Sequence, residues 1–366
     1  MSDYTKFYQW IKDNGGQIHE HIKIDMKNER GLFTTDSIPA LTALAMIPWS
    51  LVVNNQHSDL TERQGLIIFL LHEHAKNDKS KWFPWIQLLN IDEEAQDLLN
   101  QKMKLFNSVE SSTLGQALTD RYQQLQEEYE QLSQSKMIDT TLDLFCTVDH
   151  LVWSRVLDLP ENELLSLIPF IDFANHRYAY CNSLCLFYNR MFFFVYSLEA
   201  NARWFIDDET HNIILRSERN LNREEEITIS YGPKSNEELL YLYGFALPNN
   251  PNDRVTVPVS LSSDDNLLGE KLQLIRELKL PPRLTFDSNG QLSEESKRLA
   301  MILSSQSIAT FDQQHQFYAS FILNLLNEYL EKLNSCCEGE DEGIFIQRYL
   351  SSQKLIMEKA TAYCSL

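Results

Sequence analysis

The spacing of apolar positions changes several times along the chain. Residues 4–13 read as a short helix that ends before Gly15 and Gly16. Ile18, Ile22 and Ile24 share one parity, as on a half-buried strand. The segment from Arg30 to Pro39 follows, punctuated by Gly31, and residues 41–47 form a second apolar, strand-like run before Pro48. From about residue 58 to 165 the pattern is helical. Leu118, Tyr122, Leu125, Tyr129 and Leu132 are spaced 4, 3, 4 and 3, which is one face of a helix. Glu127, Glu128 and Glu130 read as its solvated face. Residues 139–158 predict a further helix, stopped by Pro160. Strand patterns return over 191–198, 204–206 and 213–215, and Ile227 to Tyr231 alternates cleanly up to Gly232-Pro233. Residues 236–243 predict a short helix closed by Gly244. One strand-like piece, 254–259, leads into helices, where Tyr318, Ile322, Leu325, Tyr329 and Leu333 mark an apolar face. The layout is strands, a helical insertion, strands again, then a helical C-terminal domain: an α+β fold.

Charge narrows the partners. The 366 residues carry 32 Lys and Arg against 52 Asp and Glu, a net charge of −20. Phosphate affinity comes mostly from Lys and Arg, so nucleic acid is not an expected partner. The acidity suits a basic, Lys-containing protein segment, or serves solubility alone. No stretch approaches the ~20 apolar residues that span a bilayer, and the first residues lack the regions of a signal peptide. Six cysteines in this length do not make a disulfide framework, which points to a reducing compartment. The expected location is the cytoplasm, with the nucleus also open to it, and the expected state is a monomer. Cys181 and Cys185 follow His176, but no second cysteine pair at ligand spacing accompanies them, so no metal is expected.

Three segments look unlike generic core. They are Asn28-Glu-Arg-Gly-Leu-Phe33, Ile168-Pro-Phe-Ile-Asp-Phe-Ala-Asn-His176, and Glu224-Glu-Glu-Ile-Thr-Ile-Ser-Tyr-Gly232 with the run 235–245 behind it. Asp172, Asn175 and His176 are polar groups among apolar neighbours, where an unpaired polar group is costly. An Asn amide offers donors and an acceptor and can read an amino-acid-like group, or it can simply cap a turn. No phosphate loop, dinucleotide fingerprint or nucleophile elbow is present. His72 and His74 are two apart, so on a helix they diverge and cannot share a metal.

In this order, the three segments resemble the SET-domain protein methyltransferases, most of all the Rubisco large-subunit methyltransferase branch. That branch includes ribosomal-protein lysine methyltransferases and an actin-histidine methyltransferase. The resemblance covers nearly the whole chain. It implies a SET-domain β-fold over 16–252, interrupted by a helical insertion at about 58–165, and a helical substrate-binding domain over 253–366. It implies S-adenosylmethionine as cofactor and transfer of its methyl group to a lysine of a non-histone protein. Histidine methylation, or a catalytically silent SET-fold binding module, are the alternatives.

Residue by residue, the resemblance gives Asn28 and Arg30 backbone contacts to the cofactor. It gives Ser154 and Arg155 contacts to the cofactor carboxylate, and assigns Asp172, Asn175 and His176 to the cofactor-binding segment. Tyr231 matches the catalytic tyrosine, beside the cofactor, and Tyr243 a second tyrosine of the lysine channel. The family often has Gly-x-Gly where this chain has Glu29-Arg30-Gly31, so the first glycine is missing. The family's histidine enzyme lacks the second tyrosine, so Tyr243 points to lysine.

Overall fold

A computed structural model describes residues 3–27, 30–91, 108–159, 164–176, 200–307, 317–336 and 343–364. The chain divides into two units. One is Met1–Leu98 with Glu128–Gly232, the other Leu99–Glu127 with Pro233–Leu366.

In the first unit, helix α1 (Asp3–Asp13) buries Phe7 and Ile11. Two four-stranded sheets follow among the described residues. The first holds β1 (Gln17–Ile18), β4 (Ala43–Ile47), β8 (Ala202–Ile206) and β9 (Ile213–Ser217), in the order β1-β4-β9-β8. The second holds β2 (Ile22–Met26), β3 (Arg30–Thr34), β7 (Asn175–His176) and β10 (Glu226–Ile229), in the order β2-β3-β10-β7. Its last pair, β10 with β7, is parallel. The shared parity of Ile18, Ile22 and Ile24 therefore does not mark one strand. The Ile22 amide donates to the His19 carbonyl at 3.1 Å, which turns the chain from one sheet into the other. The strand expected over 191–198 lies outside the described residues.

The expected helical insertion contains α2 (Glu62–Lys76), α3 (Phe83–Ile86), α4 (Thr113–Gln134) and α5 (Leu142–Arg155). A Thr61–Gln64 capping box starts α2, and Thr141 caps α5. Helix α5 ends before Pro160 can stop it, because β5 (Leu157–Leu159) leaves it to pair with β6 (Leu164–Ser166). Glu128 is not part of a solvated face. It pairs with Arg63, a buried residue of α2 that also meets Asp149 of α5 at 2.5 Å.

The second unit holds α4 as far as Glu127 and resumes with α6 (Asn236–Tyr243), set by a Ser235–Glu238 capping box and closed by Gly244 at φ +78°, a left-handed conformation that glycine adopts without strain. After it come β11 (Arg254–Pro258), α7 (Leu268–Glu277), β12 (Arg283–Asp287), α8 (Glu294–Ser304), α9 (Phe317–Ser335) and α10 (Ile344–Cys364). β11 and β12 pair antiparallel and bury Val255, Leu284 and Phe286 in a core shared with Ile302, Ile322 and Tyr349. Sequence patterning missed β12, whose five residues carry charge at both ends. The boundary expected at 252/253 lies inside this unit, between Asn236 and its hydrogen-bond partner Asp253.

Candidate functional site

The parallel pairing of β7 with β10 builds the site. Asn175 lies in register with Thr228, and His176 with Ile229. The preceding turn is forced. Phe170 is fully buried with φ +80°, a strained conformation for a bulky residue. Helix α1 packs over this turn, with the Phe7 ring 5.9 Å from Phe173 and Tyr8 6.3 Å from Phe170.

Asn175 is held by its nitrogen. Nδ2 donates to the Arg30 carbonyl at 3.0 Å and to Glu226 Oε1 at 2.8 Å. Two acceptors on one side fix which end of the amide is nitrogen. Gly31 makes the approach possible, since a Cβ there would sit 2.9 Å from both Asn175 Nδ2 and Glu226 Oε1. Buried Asn201 pins the same strand: it donates to the Glu226 carbonyl at 2.7 Å and accepts from the Thr228 amide at 2.8 Å.

Asp172, Arg155 and Arg30 meet around the Phe173 ring. Asp172 Oδ2 accepts from Trp85 Nε1 at 3.1 Å and lies 3.7 Å from Arg155 Nη1, which donates to the Asp172 carbonyl at 3.1 Å. Burial pushes the Asp172 carboxyl above its usual range, outweighing Arg155, the Trp85 hydrogen bond and Arg30. The Arg155 and Arg30 guanidinium groups lie 5.5 and 5.0 Å from the Phe173 ring centre, and Arg30 also donates to the Leu88 carbonyl. The Ser154 hydroxyl donates back to Leu151 in its own helix, at 3.0 Å. Two buried atoms of this group, Asp172 Oδ1 and Arg155 Nε, have no hydrogen-bond partner among the described residues.

His176 and Tyr231 stack, with ring centres 4.8 Å apart. The Tyr231 amide donates to His176 Nδ1 at 2.9 Å, so that nitrogen carries no proton. Burial lowers the His176 pKa to about 4, against a hydrogen bond with the Ile229 backbone that favours the charged form. The Tyr231 hydroxyl donates to the Ala174 carbonyl at 3.1 Å.

The fold thus brings Arg30, Arg155, Asp172, Asn175, His176 and Tyr231 together in the first unit. Tyr243 belongs to the second unit, as the last residue of α6, with its ring 6.1 Å from that of Phe245. Asn28, Cys181 and Cys185 lie outside the described residues. Among the described residues no group of three His, Cys, Asp or Glu could hold a metal, and no helix is long and apolar enough to cross a membrane. Sequence reasoning gave Glu226 no separate role. The available signal was alternation, which sets Glu226 on the same strand face as Thr228, the register partner of Asn175.

Comparison with known proteins gives the family and the fold. The SET domain family model matches residues 29–232, more than half of the chain, and the chain belongs to that family. It is 26% identical to the ribosomal lysine N-methyltransferase set10 of Schizosaccharomyces pombe, over 54% of this chain and 34% of that protein. It is 24% identical to the actin-histidine N-methyltransferase of Canis lupus familiaris, over 77% and 49%. The chain therefore spans between about a third and a half of the length of these curated relatives. A solved structure of Rubisco LSMT bound to AdoMet shares the fold, with a TM-score of 0.75 and 16% identity over 100% of this chain and 92% of that one.

Proposed function

We propose that this chain is an S-adenosylmethionine-dependent protein-lysine N-methyltransferase acting on a non-histone substrate. The observation that carries the reading is the β7–β10 pairing, which sets Asn175 and His176 beside Tyr231. The residues suit the cofactor's amino-acid end. Asn175 Oδ1 is an acceptor with no partner among the described residues, which suits an ammonium. Arg155 Nε is a donor with no partner among the described residues, which suits a carboxylate. Asp172 acts at one remove, by holding Arg155 and Trp85.

S-adenosylmethionine would supply a methyl on a sulfonium, leaving the chain to bind, orient and exclude water. His176 is neutral at physiological pH, so no imidazolium repels a sulfonium there. A lysine must lose its proton first. With a pKa of about 10.4, forming the neutral amine at pH 7.4 costs roughly 4 kcal/mol, and burial near a cation reduces that cost. With its own proton on the Ala174 carbonyl, the Tyr231 oxygen can accept from the incoming amine and align it. His176 Nδ1 accepts from the Tyr231 amide and is not available as a base.

The relative that methylates actin histidine favours a second reading, transfer to an imidazole, which is already largely neutral at pH 7.4. Tyr243, matched to the lysine channel, supports lysine. Incubation with labelled cofactor and cell lysate, followed by mapping of the labelled residue, decides between them. Label on a lysine is expected; label on histidine selects the second reading, and no labelled protein alongside no cofactor binding leaves the silent module.

A further inference from the structure

We propose that Glu226 is a positioning residue for the cofactor: its carboxylate fixes the Asn175 amide so that the carbonyl oxygen, not the nitrogen, meets the ligand. The inference rests on the methyltransferase reading above. An unrestrained Asn amide presents a donor or an acceptor by rotating half a turn, and so distinguishes poorly between an ammonium and a carboxylate. Here Nδ2 lies between two acceptors, the Arg30 carbonyl at 3.0 Å and Glu226 Oε1 at 2.8 Å. Rotation would set Oδ1 against both oxygens. Without Glu226 the Arg30 carbonyl remains as a single restraint on one N–H.

Three features keep Glu226 in place for this task. Its backbone pairs with Phe33 on β3, its carbonyl accepts from Asn201 at 2.7 Å, and Gly31 leaves the space its carboxylate occupies. The neighbouring glutamates differ. Glu224 pairs with Lys27, and Glu225 pairs with Arg219 at the turn before the strand. Of the three consecutive glutamates, Glu226 is the one whose carboxylate meets Asn175. The consequence is specificity for a ligand bearing a protonated amino group.

The test is calorimetry on the full chain with S-adenosylhomocysteine and with its analogue lacking the α-amino group. The unchanged chain should prefer the amino-bearing ligand by roughly tenfold or more, as expected for a hydrogen bond to a charged group. Glu226→Gln keeps an acceptor and should keep most of that preference. Glu226→Ala should reduce the preference by about fivefold, while affinity for the analogue without the amino group moves by less than about twofold. Should Glu226→Ala fail to fold, Glu226→Met keeps the length, removes the acceptor and gives the same readout. Equal loss for both ligands would mean that Glu226 only holds the strand, and would overturn the proposal. So would an unchanged preference in the variants lacking the acceptor. If the unchanged chain binds neither ligand, the cofactor reading itself falls, and this proposal with it.

Discussion

Asn175 and Asn236 each open an element, one the strand β7 and the other the helix α6, yet they use their amides differently. Asn236 is fully buried and closed on itself. Its Nδ2 donates to Asp253 Oδ2 and to the Leu247 carbonyl, each at 3.0 Å, while Oδ1 accepts from the Leu247 amide at 3.0 Å. Nearby, Glu237 accepts from Thr113 at 2.8 Å and Tyr349 at 3.0 Å, and Thr113 also meets the Tyr329 hydroxyl. Asn201 in the first unit is closed in the same way. Asn175 has its amide nitrogen engaged, and among the described residues its oxygen has no partner. A buried polar network is therefore no mark of a site in itself, since networks of this kind also staple a core. The mark is an open valence on a group whose orientation its neighbours have already decided.

The largest effect expected on this comparison comes from Tyr231, beside the open asparagine. Tyr231→Phe keeps the ring stacked on His176 and removes the oxygen that would align the amine. Folding and cofactor affinity should stay near normal, with kcat down roughly 10²–10³-fold, as for loss of one preorganised group. Steady-state kinetics on the identified substrate would check this, and a variant retaining more than half its kcat would detach Tyr231 from the chemistry.

The closed asparagine should fail by unfolding. Asn236→Ala removes side-chain bonds to Asp253 and Leu247 and leaves their polar groups buried, at a cost of about 3 kcal/mol. All six tryptophans lie in the first unit, so their fluorescence follows that unit, while helical circular dichroism follows both. In urea, the dichroism midpoint should fall in Asn236→Ala while the fluorescence midpoint moves less. Equal shifts would mean that the two units unfold as one.

Much of this contrast could be read in the residues, and part of it could not. Regular spacing gave α4, α9 and the alternating strand that ends near Tyr231, and the punctuation at Gly15, Pro160 and Gly244 marked α1, α5 and α6. The polar triplet Asp172, Asn175 and His176 stood out against apolar neighbours. The turn between β1 and β2 was hidden, since a shared parity survives a change of sheet. Strand β12 was too short and too charged at its ends to signal itself. The partner of Asn175 was also hidden: Glu226 is 51 residues away, and only the pairing of β7 with β10 brings it near. Long-range pairings of this kind leave no local pattern.

Next in size is Asn175→Ala. Two hydrogen bonds at a half-buried position are lost, so stability should fall by only about 1 kcal/mol. Cofactor affinity should fall by about 1.5–3 kcal/mol, because the lost contact is to a charged group. Calorimetry and urea unfolding on the same preparation check both halves. An unchanged affinity in the folded variant would remove Asn175 from the site and end the contrast with Asn236.

The smallest effect separates the units by the sign of their response to pH. His176 is held neutral in the folded chain, with its pKa lowered from 6.5 to about 4. The unfolded chain therefore takes up a proton at this position first as the solution acidifies. The contribution is complete above about pH 6.5 and is lost as pH falls toward 4. Solvent partly reaches the ring, so the loss should amount to roughly 1–2 kcal/mol. In the second unit, burial raises the carboxyls of Glu237 and Asp253, so their contributions run the other way: complete below the ordinary carboxylate range and lost as pH rises through the raised values. Asp172 does the same within the first unit, so the wild-type slope alone mixes two signs. His176→Asn removes one of them and keeps an acceptor for the Tyr231 amide. The fluorescence midpoint in urea, followed from pH 7 to 4.5, should fall less steeply in His176→Asn than in the unchanged chain. Parallel slopes would show that the histidine titrates alike folded and unfolded, and that its burial does not distinguish the open site from the closed core.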